Sequence, residues 1–194
     1  MKNLMRIIFA AAMTLGMAVS ANANPATYTF AGYGNGFIVD GGSAPFSGAF
    51  TFVFTADTSA IDTTAAPFFY LHAVGGTFTV GAFTATLVPT VTIVASADPT
   101  LELINFFNAT FDNGLGLHNA ALNGYDLSTS IGPLPGDFLT PTFGGGGFLT
   151  TSGALIEMTG DETLTFTASV VPEPATLALL SLGLVGLGFS RRKH

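Results

Sequence analysis

Apolar and polar residues alternate with period two through most of the chain, the mark of half-buried strands. Over residues 46–55, Phe46, Gly48, Phe50, Phe52 and Phe54 fall on one face, and Ser47, Ala49, Thr51, Val53 and Thr55 on the other. Residues 77–80 and 83–87 repeat the pattern, and so does 163–170, where Leu164, Phe166, Ala168 and Val170 oppose Thr163, Thr165, Thr167 and Ser169. Shorter runs predict further strands at 28–33, 90–94, 101–107, 114–117, 125–128 and 154–158. Phe and Thr both suit a pleated, half-buried surface. Threonine on the outer face makes that surface polar without charging it.

Turn signals punctuate these runs: Gly41-Gly42, Gly75-Gly76, Asp98-Pro99, Asp112-Asn113-Gly114, Asn123-Gly124 and Gly160-Asp161. Asn-Gly fits a hairpin, whose two central residues need positive φ. Two stretches read as loops. Residues 32–36 (GYGNG) look flexible, and residues 131–147 (IGPLPGDFLTPTFGGGG) look like a long connection across one end. No helical periodicity appears between the two termini. The predicted fold is therefore all-β: a single β-sandwich, jelly-roll-like, over residues 24–170. Seventeen of the 19 Phe lie in it and supply a core without any cysteine.

The ends follow other patterns. Lys2 and Arg6 precede an apolar run over residues 7–19, and Ala21 and Ala23 then supply the small −3 and −1 residues of an export-signal cleavage site. A signal-peptide helix is expected over 1–23, removed by signal peptidase, so that the mature chain begins at Asn24. At the other end, Pro172-Glu173-Pro174 is followed by an uncharged apolar run over 175–189 and then by Arg191, Arg192 and Lys193, with His194 last. Fifteen helical residues rise about 22 Å. That is short for a bilayer core of about 30 Å, a gap that bilayer thinning and snorkelling basic side chains can close. Adjacent basic residues fix such a helix with its tail in the cytoplasm. Residues 24–170 then lie beyond the inner membrane.

Charge sharpens this division. The chain has five basic and twelve acidic residues. All five basic residues sit in the terminal segments, while eleven of the acids, and no Lys or Arg, lie between residues 24 and 171. Such a body cannot form Lys or Arg salt bridges of its own. It also lacks the cationic patch that nucleic-acid binding needs, so nucleic acid is excluded as a partner.

The tripartite end (the Pro-Glu-Pro motif, the apolar segment and the basic cluster, over residues 171–194) resembles the PEP-CTERM sorting signal of Gram-negative bacteria. The resemblance implies recognition by a membrane-embedded exosortase acting near Pro172, Glu173 and Pro174. It also implies a sorted surface or matrix protein of exopolysaccharide-producing cells.

Chemistry in the body is sparse. Only His72 and His118 are available as imidazoles, and no G-x-S-x-G elbow accompanies them. Glycoside hydrolysis needs two facing carboxylates, and no spacing marks such a pair. No catalytic residue and no cofactor is expected. Calcium, which takes hard oxygen ligands, is the one metal that the composition suits, with Asp57 and Asp62 around a turn (ADTSAID) as candidate ligands. The competing explanation is that aspartates in turns bond their own backbone. The function expected is that of a non-enzymatic, exported and C-terminally sorted surface or matrix component associated with exopolysaccharide. The alternative is a secreted polysaccharide-binding module or glycan-active enzyme, with calcium as the one candidate cofactor. The absence of Trp and the presence of only four Tyr weigh against an aromatic sugar platform.

Overall fold

The computed structural model describes residues 24–109, 114–139, 147–159 and 163–171. The expected signal-peptide helix, the apolar helix 175–189 and the sorting and cleavage residues Ala21, Ala23, Pro172, Glu173, Pro174, Arg191, Arg192 and Lys193 lie outside them. Among the described residues no helix is long and apolar enough to cross a membrane. Residues 25–170 form one compact unit.

The unit opens with a long hairpin, β1 (Pro25–Val39) and β2 (Ser43–Asp57), then β3 (Phe68–His72), β4 (Gly75–Val80) and β5 (Phe83–Leu87). A meander follows: β6 (Thr92–Ser96), β7 (Leu103–Phe107), β8 (Gly114–His118) and β9 (Ile131–Leu139). The short β10 (Phe148–Leu149) and β11 (Leu155–Met158) precede β12 (Thr163–Val170). All pairings are antiparallel, in the order β3-β6-β7-β8-β9-β12-β1-β2-β4-β5. Along that path β7 and β1 are four spacings apart, about 19 Å in a flat sheet. Yet the Phe106 ring of β7 lies 4.3 Å from Phe30 of β1 and 4.5 Å from Phe54 of β2. The path therefore folds over into two layers, the all-β sandwich that the alternation predicts.

Register explains the core. Phe166, Phe30, Phe52 and Phe78 are successive cross-strand partners through β12, β1, β2 and β4, and all are fully buried. Residues between them point outward. Thr165, Ala31, Thr51, Thr79 and Thr84 make one outer row across β12, β1, β2, β4 and β5. Thr167, Thr29, Val53, Thr77 and Thr86 make the next, and Ser169, Thr27, Thr55 and Gly75 a third. The sheet edges are covered. Asp62 bridges Tyr70 on the open side of β3 through backbone bonds of 2.8 and 3.1 Å. Val88 N–H donates to Leu149 O and Thr151 N–H to Thr86 O alongside β5. Both devices remove pairing templates for other chains.

Several expectations are corrected. Residues 32–36 are the middle of β1 rather than a flexible loop. Gly75-Gly76 opens β4 rather than making a turn. The cause is shared: Gly32, Gly36 and Gly76 face phenylalanines across the sheet. A Cβ on Gly76 would lie 2.6 Å from the ring of its cross-strand partner Phe54, and one on Gly36 2.5 Å from the ring of its partner Phe46. Glycine in these strands makes room for an aromatic ring; it does not break the strand.

Residues 131–139 form β9, paired to β12 and β8, rather than a loop. Pro135 is tolerated because its carbonyl accepts from the Asn119 side chain at 2.5 Å. In an antiparallel strand the N and C=O of one residue point the same way, so the missing N–H costs β12 no bond. The predicted strand at 125–128 is absent: Leu127 has φ 69° and the Asp126 side chain turns the backbone by accepting from Ser128 N–H at 3.0 Å. Asn123-Gly124 follows a 3-10 turn at Ala120–Leu122 rather than closing a hairpin. β3 had no separate signal in the sequence.

Candidate functional site

The domain's first and last strands are neighbours. All eight residues of β12 pair with β1, from Tyr33↔Thr163 to Ala26↔Val170. At that last rung Val170 N–H donates to Ser130 Oγ at 2.9 Å, and the Ser130 hydroxyl lies 3.5 Å from Val170 O. Ser130 is 40 residues away in sequence, and nothing in the chain announced it as a clamp. One residue later Val171 is 55% exposed. A strand held on both sides thus ends at the boundary of the motif.

The two predicted calcium ligands are engaged in turns. The Asp57 side chain accepts from Ser59 N–H at 2.9 Å, capping the 3-10 turn Thr58–Ala60. Asp62 Oδ1 accepts from Thr64 N–H at 2.8 Å. Hydrogen bonds from the Thr64 backbone and side chain hold the Asp62 carboxyl below its usual range. Asp98 makes the same turn with Thr100, through the hydroxyl at 2.7 Å and the N–H at 2.8 Å, and is lowered likewise. Among the described residues no three His, Asp or Glu side chains gather at metal-binding distance.

The two histidines are separated. His72 Nδ1 lies 3.0 Å from Thr92 Oγ1, and His118 Nε2 lies 3.6 Å from Glu102 Oε2. His72 pairs with Thr92, which pairs with Phe107, whereas His118 pairs with Leu103. Three strands across and four residues along put them about 19 Å apart. A groove of about 730 Å³ runs between the first half of β2 and the β4–β5 turn, lined by Phe46, Phe83, Ile38, Val80, Thr51 and Thr79 among others. None of its lining residues is ionisable, so it offers no acid–base chemistry.

Against this geometry, residues 170–193 match the family model described as the PEP-CTERM protein-sorting motif. The motif defines a class: proteins exported and sorted to the cell envelope or surface through a C-terminal segment that implies exosortase processing. The chain carries a PEP-CTERM sorting motif in this segment. No curated protein and no solved structure matches it.

Proposed function

We propose that the chain is a non-enzymatic surface or matrix component that works within an exopolysaccharide layer. Signal peptidase removes residues 1–23. The apolar run 175–189 then stops in the inner membrane with Arg191, Arg192 and Lys193 inside. Exosortase acts near Pro172-Glu173-Pro174 and releases the β-domain for attachment or secretion.

One observation carries this reading: β12, a central strand, runs into the sorting motif at residue 170 with no intervening linker. The cargo that the signal delivers is the sandwich itself. The uncharged threonine face and the acid-bearing, cation-free body suit a hydrated outer layer better than a membrane surface or a nucleic acid.

Mass spectrometry of the protein recovered separately from membranes, matrix and medium tests it. The expected species begins at Asn24, ends near the Pro-Glu-Pro motif and partitions with matrix polysaccharide. Glu173→Ala, or removal of residues 191–193, leaves a longer species in the inner membrane. An intact chain in the cytosol, or processing indifferent to both changes, overturns the reading.

A further inference from the structure

The surface of the β12-β1-β2-β4-β5 layer has an unusual chemistry. Its three outer rows contain threonine, serine, alanine, valine and glycine, and no ionisable residue. None of these positions is buried, and Thr55, Thr77, Thr84 and Thr86 are exposed. Within a row, hydroxyls repeat at the strand spacing of about 4.8 Å, and rows repeat about 6.8 Å apart along the strands. Five strands and three rows cover a patch of roughly 19 by 14 Å. Thr79 and Thr84 hydroxyls already lie within 3.3 Å of each other, so the lattice donates and accepts locally. The one acid within these five strands stands at the margin, where Asp57 closes β2.

We propose that this threonine lattice is the surface by which the domain holds a neutral polysaccharide strand. The inference rests on the exopolysaccharide reading above and names both the face and the class of glycan. Charge selects the partner. A body with eleven acids and no Lys or Arg between residues 24 and 171 repels uronic-acid polymers, nucleic acid and anionic lipid alike. The acid-free rows are where an uncharged, polyhydroxylated chain meets no penalty. Each threonine offers a hydroxyl that both donates and accepts, matched to sugar hydroxyls, and a methyl that packs on sugar C–H groups. Repetition in two directions takes the place of aromatic stacking, which these three rows lack; exposed Tyr33 stands in the next row. Many weak, equivalent contacts along one strand give avidity without a deep pocket.

Affinity electrophoresis of the full chain through gels containing dextran, hydroxyethylcellulose or, for comparison, alginate tests the proposal. Retardation by a neutral polymer and none by alginate is expected. Thr77→Val with Thr86→Val keeps shape and strand preference while removing two hydroxyls. It should weaken retention at least about fivefold, the loss expected for one net hydrogen bond. Thr129→Val, off this face, should leave retention unchanged. Equal retention of parent and double variant, stronger retention by alginate, or no retention by either neutral polymer overturns the proposal. The two readings fail differently. If the parent and the double variant stay equally in the matrix fraction of cells, this face is wrong and the matrix role stands. If the parent itself leaves that fraction, the matrix role falls.

Discussion

The two layers of the sandwich are built on different rules. In the layer of β12, β1, β2, β4 and β5, Leu164, Phe166, Phe30, Phe50, Phe52, Phe54 and Phe78 are buried at alternate positions, and the residues on either side of each are at least partly exposed. In the facing layer, β6 is buried at all five positions and β8 at its first four. Thr92 and Ser96 are buried on β6 alongside Ile93 and Ala95. The first layer has an inside and an outside, whereas these strands have no exposed face to keep polar. A sheet face left to water must alternate, and a strand covered on both sides need not. The contrast assigns roles: the covered layer is ballast for stability, and the open one is free to carry a surface.

The sharpest way to break that division is to remove the ring joining the layers. Phe106 belongs to the covered layer and contacts Phe30 and Phe54 of the open one. Phe106→Ala should cost about 3–5 kcal/mol in chemical denaturation, a lost transfer term plus an unfilled cavity. A cost near that of a surface change would mean that the layers are not packed through this ring.

The second test addresses the glycine–ring pairs. A Cβ on Gly32 would collide with the Thr163 carbonyl of β12 and approach the ring of its partner Phe50 at 3.2 Å. Gly32→Ala should cost about 1–3 kcal/mol by overpacking. Gly41→Ala carries a different penalty, since nothing lies within 4 Å of it but its φ is +63°. If Gly32→Ala were neutral, the glycines would be tolerated breakers and not seats for rings.

These pairs also explain what the sequence could show. The alternating layer was legible: Phe83–Leu87 and Thr163–Val170 have the bounds that alternation alone predicts. Where glycine sits opposite a ring, at Gly32, Gly36 and Gly76, a cross-strand partner and not local turn chemistry governs the position. Pro135 misled for the same reason, because the partner that excuses it, Asn119, lies 16 residues away. β3 went unseen because FFYLH has no alternation, only one of its five residues being buried. Of the site, the sorting segment was plain in composition. The Ser130 clamp on Val170 was not, since one serine among many carries no pattern.

The buried phenols make a smaller, pH-dependent test. Tyr28 donates its hydroxyl to Leu127 O at 2.6 Å, where Leu127 is held at positive φ. Burial, and secondarily the charge of Asp126, pushes the Tyr28 phenol well above its ordinary value; burial, then Tyr28 and Asp126, does the same for Tyr125. The unfolded chain ionises these groups near pH 10 while the folded one still holds their protons. Their contribution is therefore complete below about pH 10 and is lost as pH rises beyond it. Tyr28→Phe should cost about 1 kcal/mol at neutral pH by leaving a carbonyl unpaired and should flatten the alkaline fall. A melt that stays level from pH 9 to 11.5 in the parent would contradict this.

The smallest effect is the most telling. Thr77 and Thr86 are cross-strand partners on the open layer, both exposed. Valine matches threonine in shape and in preference for strands, and surface substitutions away from special features stay within about 0.5 kcal/mol. Thr77→Val with Thr86→Val should thus leave the denaturation midpoint almost unmoved. Thr92→Val, on the covered layer, removes the hydroxyl facing His72 Nδ1 at 3.0 Å. That change should cost about 1 kcal/mol. Threonine is therefore doing two jobs in one chain. On β6 it satisfies a neighbour in a closed environment. On β4 and β5 the Thr77 and Thr86 hydroxyls face outward, where the proposed glycan strand would meet them. If the exposed pair proved as costly as Thr92, the lattice would belong to folding and the open layer would lose its claim to a partner.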